Sequence, residues 1–176
     1  MDNQVLDAIL TRRSIRKYRP DQISDEELKA VLEAGTFAPT GKNLQEPLIV
    51  AVQNKGIISR LVEMNAAIMG VKSDPYYGAP TIVLVFVPRS EDNPNAVQDG
   101  SLVLGNMMLA AHAIGLASCW INREREMFLT PEGKLLQEEL GIPAGYVGLG
   151  ALSLGYPLNP NPKALPRKEG YYKIVK

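Results

Sequence analysis

The stretch Thr81-Ile-Val-Leu-Val-Phe-Val-Pro88 is apolar at six consecutive positions and rich in β-branched residues. So short and apolar a run predicts a strand covered on both faces, because a half-exposed strand alternates with polar residues. Downstream of it, Asn95–Ile114 reads as one long helix, apolar nearly all round and carrying Met107, Met108 and Leu109. That pattern predicts a central, buried helix. Gly100 and Gly105 lower its propensity and predict points of close approach.

Further elements follow outward in both directions. Ser118–Ile121 is a short strand, and Tyr146–Tyr156 is a strand punctuated by glycine. Between them, Thr130-Pro131-Glu132 supplies an N-cap and a proline at the first helical position, with Gly141 as the stop. Upstream lie a helix over Ile57–Met69, a buried strand over Leu48–Gln53 and a loop over Thr36–Pro47. Ser24-Asp-Glu-Glu27 is a capping box opening a helix with the stripe Leu28, Val31 and Leu32 and a stop at Gly35. Residues 3–11 place Val5, Leu6, Ile9 and Leu10 on one helical face. From Pro157 onward, four prolines in ten residues predict an extended arm, 157–176. With no internal repeat or composition break, residues 1–176 read as a single domain.

Composition excludes several chemistries. The 176 residues are 45% hydrophobic, enough for a core without disulfide or metal. One Cys (Cys119) and one His (His112) rule out an intrachain disulfide, a Cys/His zinc cluster and a two-His metal site. Lys+Arg and Asp+Glu balance at 19 each, but not locally. Arg12, Arg13, Arg16, Lys17 and Arg19 outweigh Asp2 and Asp7 at one end, and Lys163, Arg167, Lys168, Lys173 and Lys176 outweigh Glu169 at the other. Two basic ends flank an acidic body, either as solvated tails or because they meet an anion. No apolar run is long enough for a signal peptide or a membrane span, so the expected location is cytoplasmic, with no membrane partner.

Familiar motifs fail on inspection. Gly35-TFAPT-Gly41-Lys42-Asn43 has the wrong spacing for a phosphate-binding P-loop and lacks the Ser/Thr that would hold Mg²⁺. Gly145-Tyr-Val-Gly148-Leu-Gly150 opens no helix, so it is no dinucleotide fingerprint. His112 reads as a core or interface histidine and Cys119 as an inert buried thiol. Glu124, Glu126, Glu138 and Glu139 read as solvated faces. No side chain stands out as catalytic and no metal site is expected.

What remains is Arg12-Arg13-Ser14-Ile15-Arg16-Lys17-Tyr18. Its arginine forks and hydroxyl suit a phosphate dianion. A solvated basic helix end is the plain alternative. A nucleic-acid patch is a third reading, disfavoured by the scarcity of stacking aromatics and by the acidic body.

The same run resembles the N-terminal signature of the nitroreductase family of flavoproteins. Ala38-Pro-Thr-Gly-Lys-Asn-Leu-Gln45 with Pro47 resembles that family's second motif. Gly78-Ala-Pro80, Gly115-Leu-Ala-Ser-Cys-Trp-Ile121, Leu154-Gly-Tyr-Pro157 and Pro166-Arg-Lys168 continue the resemblance in order along nearly the whole chain. The resemblance implies an α+β fold, with a mixed, mainly antiparallel sheet flanked by helices and an extended C-terminal arm. It also implies a homodimer holding FMN between subunits.

On the same resemblance, Arg12, Arg13, Ser14 and Arg16 are cofactor contacts. Arg16 matches a position near the flavin N1/O2 edge, where negative charge gathers on reduction. Arg167 and Lys168 match the arm's basic contact to the phosphate. Pro39, Thr40 and Asn43 match ring contacts contributed by the partner subunit. Here Thr40 stands where Ser is usual, Glu46 is inserted before the proline, and Leu48 replaces a tryptophan. Trp120, Ile121 and Asn122 match the segment passing the flavin N5. Asn65 is the nearest candidate for a mid-chain flavin contact.

The implied activity is FMN-dependent transfer of hydride from NADH or NADPH to a small acceptor (nitroaromatic, quinone, flavin or similar) in a ping-pong cycle. Two alternatives are a flavin-binding protein without NAD(P)H turnover and a nucleic-acid or anion binder using the basic ends.

Overall fold

A computed structural model describes residues 3–159 and 161–176. Asp2, counted above in the charge of the first segment, and Pro160 of the arm lie outside the described residues. Four strands form one sheet in the order β1-β2-β4-β3, with β1 at Leu48–Val52, β2 at Thr81–Pro88, β3 at Ala117–Ile121 and β4 at Tyr146–Gly155. Every pairing between these strands is antiparallel. The parallel component is a single bridge, Ser14 to Ser118, on the free edge of β3.

All eight residues of β2 are buried, as its apolar run requires. Its side chains alternate between two cores. Val83, Val85 and Val87 pack with α2 (Asp25–Thr36) and α4 (Ala96–Ala113). Ile82, Leu84 and Phe86 pack with α3 (Lys55–Met69), α5 (Glu124–Met127) and α6 (Pro131–Glu139). Each fully buried aliphatic or aromatic side chain contributes about 1.5–3 kcal/mol, so this strand organises both layers.

Strand β4 changes face midway. Val147 and Leu149 lie on the α4 side, and so do Leu152 and Leu154. Odd and even positions share a face because Leu149 is an extra residue: Val85 pairs Gly150 while Phe86 pairs Gly148. This β-bulge flips the alternation where two neighbours press closest. A Cβ at Gly148 would lie 2.6 Å from the Glu124 carbonyl oxygen, and one at Gly150 would lie 2.9 Å from Trp120 Nε1.

Helix α4 is less enclosed than its sequence predicts. Val103, Leu104 and Met107 are buried against the sheet, but Val97 and Leu102 are exposed. Gly100 does mark a close approach, since a Cβ there would meet Val87 and Leu149 at 2.5 Å, whereas Gly105 faces open space within this chain. The first helix, α1 (Gln4–Thr11), buries none of its residues. Val5, Leu6, Ile9 and Leu10 are 67%, 44%, 49% and 69% exposed. The apolar face is present, and nothing among the described residues covers it. After β4 the described arm is exposed throughout from Leu158 and carries Leu165, Tyr171, Tyr172, Ile174 and Val175 to the surface.

Candidate functional site: a basic cluster on a sheet edge

Asn3 caps α1 by accepting the Val5 and Leu6 amides, and the chain leaves the helix at Arg12. It then runs beside β3, where the Ile15 amide donates to the Ser118 carbonyl at 3.1 Å. Tyr18 pins this segment, its hydroxyl donating to the Ile15 carbonyl at 2.6 Å and reaching Ser153 O at 3.3 Å. Arg12, Arg13, Ser14 and Arg16 are thereby gathered along one sheet edge.

Two of these guanidinium groups have unfinished business. Arg13 Nη1 donates to the carbonyls of Leu10 and Arg12, at 2.8 and 2.6 Å. Yet Arg12 Nη1 and Arg13 Nε are buried without any hydrogen-bond partner. A buried unpartnered donor costs free energy, more so on a charged group. Donors left in this state fit an anion. Arg16 stands 5.8 Å over the Tyr77 ring, and its neighbourhood, Cys119 first and then Tyr77, holds its pKa above the ordinary arginine value. It is a fixed cation. Burial pushes the Cys119 thiol up, with Arg16 offsetting this in part.

His112, expected in the core or an interface, is half-buried at the end of α4. The Thr11 hydroxyl donates to the Asp7 carbonyl at 2.7 Å, which leaves its oxygen to accept from His112 Nε2 at 2.8 Å. Burial, then Arg12, lowers the His112 pKa, so the ring is neutral near pH 7. A cavity of about 160 Å³ opens here, lined by Arg13, His112, Ser118, Pro157 and Asn161 among others.

The loop after Ala38 forms a separate group. Gly41–Asn43 is a single 3₁₀ turn with Lys42 and Asn43 at positive φ, and Gln45 is also left-handed. Such clustered backbone strain persists only where surroundings enforce it. Here the Gly41 amide donates to Asp99 Oδ1 at 2.9 Å, and Thr40 Oγ1 accepts from the Gln45 amide at 3.1 Å. The inserted Glu46 is tied down as well, accepting Asn93 on its carboxylate and Tyr146 on its carbonyl. Pro39 and Asn43 remain exposed.

Asp99 lies in the first turn of α4 and His112 in its last. Thirteen residues of α-helix separate them by about 20 Å. Within one chain, the Thr40 loop and the Arg12 cluster therefore stand at opposite ends of α4. No hydrogen bond among the described residues joins the two groups, nor links Arg167 or Lys168, exposed on the arm, to either.

Trp120 and Ile121 end β3 and Asn122 follows it, about 13 Å of extended chain beyond Ser118. Trp120 Nε1 donates to Asn122 Oδ1 at 2.9 Å across Gly150. Arg123 follows at φ 90°, turning the chain into α5. Asn65, the mid-chain candidate, is fully buried; its Nδ2 donates to Asn122 O and Tyr76 Oη, and its Oδ1 has no partner. Glu124, read above as a solvated residue, is also buried. The overlooked signal was its helical spacing to Met127 and Phe128, which puts all three on one apolar face.

The chain thus combines an α+β fold, a basic cluster on a sheet edge and a strained loop at the far end of the central helix. Residues 9–156 match the family model described as the nitroreductase family. A relative from Archaeoglobus fulgidus, named as an NADH dehydrogenase/NAD(P)H nitroreductase, is 35% identical over 159 residues, covering 88% of this chain and 86% of its own. The NADPH-flavin oxidoreductase of Vibrio harveyi is 26% identical over 180 residues, covering 94% and 70%. A crystal structure of a nitroreductase with bound FMN from Bacteroides fragilis superposes with a TM-score of 0.90 at 32% identity, over 99% of this chain and 100% of that one. The chain belongs to the nitroreductase family. Among the described residues, no helix is long and apolar enough to cross a membrane.

Proposed function

We propose that two copies of this chain hold FMN between them, and that the complex moves hydride from NADH or NADPH to a small organic acceptor. The carrying observation is the pair of buried, unpartnered donors, Arg12 Nη1 and Arg13 Nε, beside Ser14. They fit a phosphate, and FMN-bound family members with this fold give that phosphate an identity. When bound, FMN supplies the two-electron redox chemistry, which explains a site without a side-chain nucleophile.

The chain's own residues bind, orient and polarise. Arg12, Arg13 and Ser14 would hold the phosphate, and Arg167 and Lys168 of the arm would add charge to it. Arg16, held over Tyr77, would supply a positive charge favouring the reduced, more negative flavin. The Trp120–Asn122 segment would flank the flavin and help keep water from it.

A second copy is needed because the Thr40 loop lies about 20 Å from the Arg12 cluster along α4. A symmetric pairing brings the loop of one copy to the cluster of the other. The exposed face of α1 and the apolar arm are then covered. So is a groove of about 390 Å³ lined by Val5, Ala8, Ile9, Leu109 and Ala113. Cofactor and dimer would form one unit.

Purified protein should be yellow, release FMN on denaturation, run as a dimer and bleach under anaerobic NADH or NADPH. Parallel double-reciprocal lines are expected, because donor and acceptor take turns in one open site. A colourless monomer, or stable yellow protein that NADH and NADPH leave unbleached, would overturn this function.

A further inference from the structure

Three polar side chains lie buried beneath the turn at Asn122 and take no part in the phosphate cradle. They are Asn65 on α3, Tyr76 just before β2 and Glu124 at the start of α5. Asn65 Nδ2 donates to the Asn122 carbonyl at 2.9 Å and to Tyr76 Oη at 3.2 Å. Tyr76 Oη in turn donates to Glu124 Oε1 at 3.0 Å. We propose that Asn65, Tyr76 and Glu124 form a positioning network that fixes the Asn122–Arg123 turn, and through it the grip of that turn on FMN. The second half of this statement rests on the FMN reading above; the first does not.

The turn needs such a brace. Arg123 is a non-glycine residue at φ 90°, a conformation that only an over-determined environment maintains. Helix α5 spans four residues and has no side-chain N-cap, so it cannot hold itself. Its first residue, Glu124, is instead driven inward, 1% exposed, with its backbone pressed against β4 at Gly148. The network ties this residue to the carbonyl two positions earlier, spanning the strained Arg123 from both sides.

The groups facing Glu124 decide its charge. Tyr76 and Asn65 approach from the β2 and α3 sides, Met127 and the Glu126 carboxylate belong to its own helix, and the Gly148 backbone of β4 lies against it. None is a cation. Arg123 and Arg125 point to solvent, and Arg123 is paired with Glu126. Burial therefore pushes the Glu124 carboxyl up to about 8, and it is neutral at pH 7. Its Oε2 has no partner. Ionisation would leave a buried, unpaired charge that α5 can relieve only by lifting from β4.

The test compares FMN affinity, by flavin fluorescence, from pH 6 to 9.5 in wild type, Glu124→Gln and Tyr76→Phe. Wild-type affinity should be flat between about pH 7 and 8, once the FMN phosphate is a dianion, and then fall above pH 8 by up to about tenfold per pH unit. Glu124→Gln keeps the shape without the proton, so this break should disappear. Tyr76→Phe removes a hydroxyl that favours the carboxylate, so the break should move to higher pH. An unchanged break in Glu124→Gln overturns the proposal; should that variant not fold, an unshifted break in Tyr76→Phe does so. Wild type that binds no FMN at any pH refutes the proposed function instead. Hydrogen exchange of residues 122–127 in cofactor-free protein then still reads the network. Protection lost above pH 8 in wild type supports it, and protection independent of pH overturns it.

Discussion

Replacing Arg12 with methionine should move stability and affinity in opposite directions. Arg12 Nη1 is buried and unpartnered, so the cofactor-free protein carries its desolvation without return. An unsatisfied buried donor costs about 1–3 kcal/mol, and the low end applies because the residue is only half-buried. Methionine keeps the length of the stem and removes the donor. Cofactor-free Arg12→Met should thus gain about 1 kcal/mol, which for a chain of this size raises Tm by roughly 2–4 °C. With FMN present, the same change deletes a charge-assisted hydrogen bond worth about 1.5–3 kcal/mol, weakening binding roughly 10- to 150-fold. Scanning calorimetry of stripped and FMN-saturated protein, with fluorescence titration of FMN, reads both signs. A lower Tm in the stripped variant with unchanged FMN affinity would show that Arg12 is structural, and the anion-site argument would fail.

Two further outcomes test the frame around the site. Gly148→Ala places a Cβ 2.6 Å from the Glu124 carbonyl oxygen, a backbone atom with little room to yield. Overpacking of this kind costs about 1–3 kcal/mol, and a thermal melt should drop accordingly; an unchanged Tm would mean that α5 is not held against the bulge. Glu27 lies below the usual carboxylate range because the Tyr156 hydroxyl, then the Ser24 amide and hydroxyl, hydrogen-bond its ionised form. Its contribution is therefore present above the ordinary carboxylate pKa and lost as pH falls through its depressed value. Urea titrations between pH 6 and 3 should show a shallower acid loss in Glu27→Gln, and parallel curves would remove Glu27 from the account.

Local rules carried much of the fold. The capping box at Ser24 and Glu27 forms as written, and so does the Thr130 cap with Pro131 at the first helical turn. Both depend on residues three apart, which a sequence displays directly. The run Thr81–Pro88 is buried on both faces because no polar side chain interrupts Ile82–Val87. The position of Leu149 was not legible, since a bulge depends on which residues pair across strands. Nor was the burial of Glu124, which follows from α5 landing on that bulge. The apolar stripe of α1 was legible, but its exposure within one chain was not.

The sequence by itself determined most of the elements, though not α5, together with the basic run at residues 12–16 and the family resemblance, because caps, periodicity and charge are local properties of neighbouring residues. Only the tertiary structure decided that Arg12 and Arg13 keep buried donors unpartnered and that the Thr40 loop stands a helix length away from them. It alone placed Glu124 in the core beside Asn65 and Tyr76. Desolvation and distance depend on what the rest of the chain brings near a residue, and that is written in no single stretch.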